Sequence, residues 1–260
     1  GFDVPEWPEQ SVIYQIFPDR FENGDPKNDP KDVQPWNANP TYWNHFGGDA
    51  AGVKKRLPYL KTLGVKALYF NPIFKAPSNH RYDTADYYQI DPEFATNDEF
   101  SAFTKDLKQA GLRTILDGVF NHTGTQFFAF QDILQNQQAS KYKDWYYILS
   151  YPVKKVQPPP YLGWWGYADL PKVNQKNPDA RTHFLGVPKF WDDKADVAGW
   201  RLDVPNEIQD DYWLDFRKIV KSTDKDRWII GEIWSDGNHW LQGDMFDSIM
   251  GHQFRFATVQ

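Results

Sequence analysis

Two carboxylates in this 260-residue chain stand where short apolar runs stop. Gly199-Trp200-Arg201-Leu202 runs into Asp203, and Trp228-Ile229-Ile230-Gly231 runs into Glu232. Two carboxyl groups facing each other are enough for acid/base or glycosyl chemistry, provided one can be ionised while the other holds a proton. An Asp or Glu that ends a strand is most often a helix cap or a solvated loop residue, so neither carboxylate means much alone. Arg201 changes the weighing. Two residues before Asp203, it lies on the same face of its strand, where a cation favours the ionised carboxylate.

The elements that must position this pair follow from periodicity. Between the two runs, Trp213, Leu214, Phe216, Ile219 and Val220 recur at helical spacing. The unit therefore reads strand, helix, strand, with parallel pairing and both carboxylates at the same end of neighbouring strands. In parallel α/β sheets and barrels that end carries the active site. Upstream, Val12–Phe17 is an apolar strand closed by Pro18. A helix is expected over Ala51–Leu63, with Pro58 inside it and Gly64 ending it. Val65–Phe70 is a second strand, leaving into a loop that holds His80 and Tyr82. Asn97 or Asp98 is placed to cap a helix that Gly111 stops. Arg113–Phe120 is a third strand, running into Asn121 and His122. The alternation then fails: 123–175 is rich in aromatics, Gln and Pro, and so long a structureless loop is improbable. It reads as a small inserted domain between a first segment, 1–122, and a second, 176–260. The latter resumes with a helix over Asn177–Lys194 and ends with a short strand near Phe246–Met250. The pattern is that of a parallel α/β fold.

Composition narrows the partners. Lys and Arg number 29 against 35 Asp and Glu, a net charge of −6 without a basic cluster, which argues against nucleic acid and anionic membrane. Aromatic residues make up 17%, including 12 Trp and 14 Tyr, more than a core of this size needs. Flat amphipathic rings suit the apolar faces of sugars, although an aromatic core is the plainer explanation. No apolar run is long enough to span a bilayer, and there is no cysteine for disulfide or thiol chemistry. The N-terminus lacks a signal peptide's pattern, and the compartment, secreted or cytoplasmic, stays open. The loop after Pro18 clusters Asn23, Asp25, Asn28 and Asp29, with Gly47 and Asp49 further on. These are hard oxygen ligands of the kind Ca²⁺ takes, and equally the residues of Asx turns.

Three short motifs, DGVFNH (Asp117–His122), GWRLDVPNE (Gly199–Glu207) and GEIW (Gly231–Trp234), lie in this order with an insertion after the first. In that combination the chain resembles the α-amylase family of glycoside hydrolases. LPKVN at Leu170–Asn174, the Asn206-Glu207 pair and QIFPDRFENGDP near the start are similar to its neopullulanase, cyclomaltodextrinase and amylopullulanase branch. The resemblance implies a (β/α)8 barrel with a domain inserted after strand three, and bacterial-type enzymes acting on α-glucans. Asp203 would be the nucleophile and Glu232 the general acid/base of a retaining hydrolase, their carboxyl groups about 5 to 5.5 Å apart. Arg201 would keep Asp203 ionised, and Glu232, flanked by Ile233 and Trp234, would be shifted upward. His122 would bind the sugar at the cleavage point, with Tyr82 of the HRYD motif stacked on it and His80 beside it. Asn206, Glu207 and Trp234 would shape the leaving-group side, and Asp117 would support Arg201. A structural Ca²⁺ would be held by Asn23, Asp25, Asn28, Asp29, Gly47 and Asp49.

The departures from the family pattern sharpen the expectations. The flanking β domains are not in the sequence, and the motif that supplies a third carboxylate at strand seven is not found, since His252 is followed by Gln253. The barrel is therefore expected to be truncated after about strand six, without strands seven and eight, and as it stands a weak catalyst. Expected function is cleavage of α-1,4 linkages in maltooligosaccharides, cyclodextrins, starch or pullulan, with possible transglycosylation. The rivals are a non-catalytic glucan-binding protein of the same fold and a glucosyltransferase or isomerase.

Overall fold

The strands of the central sheet are short apolar runs flanked by turn formers, and helices lie between most of them along the chain. The computed structural model describes residues 3–251. Strands β1 (Val12–Ile16), β2 (Val65–Phe70), β5 (Arg113–Gly118), β6 (Val197–Leu202), β7 (Trp228–Ile233) and β8 (Ser248–Gly251) form one sheet in that order, every neighbour parallel. A two-stranded antiparallel hairpin, β3 (Phe74–Lys75) with β4 (Asp86–Ile90), stands apart from it. The helices are α1 (Ala50–Lys55), α2 (Leu57–Thr62), α3 (Asn97–Gln109), α4 (Phe128–Asn136), α5 (Pro178–Lys194) and α6 (Asp210–Thr223). Six successive parallel strands of the (β/α)8 type are present among the described residues, short of the eight that close such a barrel. No helix among them is long and apolar enough to cross a membrane.

Side chains alternate across the sheet, so register decides what each face carries. The helix side is the main core: Leu68, Phe70, Leu116, Trp200, Leu202 and Ile229 pack there against Phe103, Trp191, Trp213 and Phe216. The opposite face is a small cluster of Ala67, Tyr69, Ile115 and Ile230, edged by Ile13 and Met250. Because Asp117 pairs with Arg201, and Arg201 with Ile230, the residues two steps after Ile230 and Arg201 share that second face. Those residues are Glu232 and Asp203.

Several expected boundaries shift for physical reasons. The single helix over 51–63 is two, because Pro58 has no N–H and its ring clashes with the preceding turn; the chain breaks at Arg56 and Pro58 sits in the first turn of α2. Thr96, not Asn97 or Asp98, caps α3, closing a capping box with Glu99. The expected loop after Phe70 contains β3, whose hairpin with β4 displays His80 and Tyr82 at its tip. Asn177 caps α5 as the helix start required. His252 and Gln253 lie outside the described residues.

Candidate active site

The floor of the site is one guanidinium among three carboxylates. Arg201 Nη1 lies 2.9 and 3.1 Å from the two oxygens of Asp117 and 3.0 Å from Asp203 Oδ1. Its Nη2 contacts Glu232 Oε2, and its Nε approaches Met250 Sδ at 3.4 Å. Asp203 follows the end of β6 but stays in the ladder, its N–H donating to Gly118 O at 3.0 Å. Asp203 and Glu232 thus converge on one guanidinium, with Arg201 against Asp203 as the strand pattern requires. Behind them, Asp117 also accepts from the hydroxyls of Tyr69 (2.7 Å) and Tyr82 (2.8 Å). Asn71 Nδ2 donates to the Tyr82 hydroxyl, and Gln15 Nε2 to Asn71 Oδ1. This chain of contacts fixes the floor from β1, β2 and β5 and from the hairpin tip.

Electrostatics corrects one expectation. Burial, followed by the neighbouring Asp117, pushes the Asp203 carboxyl up to about 8, against the downward pull of Arg201 and with Glu232 adding to the rise. One cation shared among three carboxylates opposes this rise without reversing it. Burial and the Asp117 charge raise the hydroxyls of Tyr69 and Tyr82, keeping both as donors. His122 is fully enclosed and burial lowers it to about 3, a neutral imidazole whose Nε2 has no hydrogen-bond partner.

The cleft above this floor has a volume of about 1170 Å³ and is lined by His80, Tyr82, His122, Arg201, Asp203, Asn206, Glu207, Glu232 and Trp234, among others. Every substrate-binding residue expected from the sequence is therefore in one cavity. Asn206 and Glu207 occupy a short 3-10 turn, Pro205–Glu207, entered through Val204 at φ 36°, a left-handed conformation that a β-branched residue adopts only under strain. The same cavity brings in residues that sequence reasoning did not single out. Trp164 and Trp165 come from the 123–175 segment, and Tyr42 from the loop before α1. Lys172 Nζ donates to Asn121 Oδ1 and to Glu207 O, tying that segment to the turn after Asp203. For Trp164, Trp165 and Lys172 the sequence signals were the GWWGY (Gly163–Tyr167) and LPKVN motifs, similar to the amylopullulanases, and the surplus of aromatics. Within 123–175, α4 and isolated bridges such as Tyr146 with Val173 replace regular strands.

The loop proposed from sequence as a calcium site draws part of its set together. Asn23 Nδ2 donates to Asp29 Oδ1 at 2.7 Å, and the side-chain oxygens of Asn23 and Asn28 are buried without a donor. Gly47, at φ 78°, faces this pair so closely that a Cβ would sit 2.6 Å from Asp29 Oδ1. Asp25 caps the turn Pro26–Asn28, and Asp49 accepts from Gly24, Asp25 and Gly52 N–H groups, anchoring the loop to α1. Among the described residues no three acidic or histidine side chains converge as a metal set. A cation here would depend largely on amide and carbonyl oxygens, which Ca²⁺ accepts, and the two orphaned amide oxygens fit it.

Comparison with known proteins places this geometry in context. The family described as alpha amylase, catalytic domain matches residues 15–260. Neopullulanase 2 of Thermoactinomyces vulgaris is 47% identical over 262 aligned positions, covering 100% of this chain and 45% of the relative. A cyclomaltodextrinase of Thermoanaerobacter pseudethanolicus is 44% identical, over 99% of this chain and 45% of its own length. Among solved structures, the cyclic alpha-maltosyl-(1→6)-maltose hydrolase of Arthrobacter globiformis in complex with that sugar superposes with a TM-score of 0.95 at 41% identity, covering 97% of this chain and 57% of the other. The chain spans about half the length of the curated relatives it matches.

Proposed function

Because the chain belongs to the alpha-amylase family, we propose that its cleft cleaves α-1,4-glucosidic bonds in maltooligosaccharides, cyclodextrins or pullulan, with retention at the anomeric carbon. The observation that carries this reading is the convergence of Asp203 and Glu232 on Arg201 at the base of an aromatic cleft. Asp203 Oδ would attack the anomeric carbon while Glu232 gives its proton to the leaving oxygen. Glu232, then ionised, takes a proton from the water that releases the sugar. The same intermediate, met by a sugar hydroxyl instead of water, gives transglycosylation.

The mechanism needs one proton shared between the two carboxyls to sit on Glu232. Arg201 contacts both groups, so its movement toward Asp203 favours the reactive arrangement and its contact with Glu232 the unreactive one. His122, neutral and with a free Nε2, suits a hydrogen bond to a sugar hydroxyl next to the broken bond. Asn206, Glu207 and Trp234 border the leaving side, and Tyr82 and His80 the other. Residues 123–175 we read as an inserted domain that supplies one wall. A Ca²⁺ held by Asn23, Asn28 and Asp29, with Asp25, Gly47 and Asp49 completing the loop, would stiffen the segments on either side of the turn that carries Tyr42.

The test is the anomer first formed when the protein acts on maltotriose, followed by proton NMR before mutarotation. The α anomer is expected. The β anomer would replace retention by inversion, and no release of sugar from maltotriose, cyclodextrin or pullulan would favour a glucan-binding protein of the same fold.

A further inference from the structure

The cleft continues outward past the carboxylates along a line of rings. Tyr82, bonded to Asp117, stacks with His80 at 5.9 Å between centroids and 29° between planes. His80 is followed by Tyr42 at 6.1 Å, and Tyr42 by Trp43 at 4.6 Å, edge on. The two outer rings are 68% and 77% exposed, and Tyr42 lines the cleft. Neither contributes to the main core.

Solvent-facing rings on a loop would ordinarily be mobile, yet this loop is held from below by side chains distant in sequence. Asn79 Nδ2, from the hairpin tip, donates to Tyr42 O and Asn44 O, both at 2.9 Å. Arg20 Nη2 reaches Thr41 O and Asn44 O, also at 2.9 Å. Asn44 Oδ1 accepts from Thr41 N–H, closing the turn on itself. A turn so fixed presents its rings with little ordering entropy left to lose on binding, which is what a preorganised recognition surface requires. The rings are amphipathic and continue the line that starts at the reacting centre.

We propose that Tyr42 and Trp43 form an outer platform that stacks on α-glucan units beyond those held at the carboxylates, and so selects for longer chains. The inference rests on the glucan-cleaving reading above. It commits to a sugar rather than a protein partner because the pair is continuous with the cleft through His80 and Tyr82.

The test uses the protein carrying Glu232→Gln, so that ligands are bound and not consumed. Calorimetric titration with maltotriose and maltohexaose gives the two affinities, repeated with Tyr42→Ala plus Trp43→Ala and, separately, with Trp43→Phe. The double variant is expected to weaken maltohexaose binding about tenfold, the scale of losing favourable ring contacts, and to weaken maltotriose binding much less. Trp43→Phe should keep most of the preference. An unchanged ratio of the two affinities in the double variant, with its melting temperature preserved, overturns the platform while leaving the function standing. Failure of the parent Glu232→Gln protein to bind either sugar overturns both.

Discussion

The floor and the rim of the cleft are built on different principles. Asp117, Arg201 and Glu232 sit on three consecutive strands, and pairing of Asp117 with Arg201 and of Arg201 with Ile230 leaves their side chains one meeting point. Tyr42, Trp165 and Trp234 are 68%, 79% and 61% exposed and stand on loops. Trp165 takes φ 50°, and the Tyr42 turn is held by Arg20 and Asn79 rather than by its own ladder. The carboxylates of the floor are positioned by sheet register, which tolerates no slippage, whereas the exposed rings of the rim are positioned by turns, which can change without disturbing the sheet.

The largest effect expected is on the floor. Asp203→Asn and Glu232→Gln should each lower turnover of maltotriose by about 10⁴-fold or more, the scale of removing a nucleophile or its partner acid. Steady-state rates for both variants, with far-ultraviolet circular dichroism to confirm folding, check this. A loss of only a few-fold in either would show that the converging carboxylates are not the reacting pair.

Next in size is a test of what stiffens the loop near the rim. Asn23 and Asn28 have buried oxygens without donors, and Asp29 lies beside them. If Ca²⁺ satisfies them, excess chelator should lower the melting temperature, since an ion at about 100 times its dissociation constant contributes about 2.7 kcal/mol. In a domain of this size that is of the order of 5 to 10 °C. Added Ca²⁺ should restore the original value. Identical melting curves with chelator and with Ca²⁺ would return these residues to turn formation alone.

How much of this was readable from sequence follows the same division. The strands at Val65–Phe70 and around Asp203 and Glu232 are apolar runs stopped by turn residues, so their positions and the meeting of their carboxylates follow from period and chain order. Pro58 and Thr96 show what local pattern reading misses: a proline's effect on the preceding turn, and a cap that comes before Asn97 and Asp98. Tyr42 was not legible at all, because its place depends on an amide contact from Asn79, and nothing near Tyr42 announces a partner so far along the chain. Asp203's upward shift was missed for a similar reason. Arg201 is its neighbour in sequence, but Asp117 and Glu232 join it only in space.

A smaller effect is expected at the rim itself. Trp165→Ala should reduce kcat/KM about tenfold for maltohexaose, chiefly through KM, since a stacking contact holds ground state and transition state alike. A comparable loss in kcat would instead give Trp165 a part in positioning the reacting bond and blur the division between floor and rim.

The smallest effect is one of stability, and its sign runs opposite to activity. Asp203 is buried beside Asp117 and Glu232, and its folded-state pKa, about 8, lies above the ordinary carboxylate value of 3.8. A carboxyl raised in this way binds its proton more tightly folded than unfolded. Between those two values the unfolded state has lost the proton that the folded state keeps, so stability falls as pH rises through the window and levels off above it. Asp203→Asn removes that titration. The variant should therefore melt higher than the parent at pH 7 and show a flatter dependence of melting temperature on pH between about 4 and 8, over the span of a raised carboxylate. Because Arg201 opposes the rise, the gain expected is about 2 to 4 °C, what 1 kcal/mol produces in a chain of this size. An Asp203→Asn protein that melts lower at pH 7, with the parent's pH slope intact, would mean that Arg201 overcomes the neighbouring carboxylates and that the floor is a stabilising ion pair. A higher melting temperature would mark the floor as the place where the fold gives up stability for chemistry, which the rim, exposed and already solvated, does not need to do.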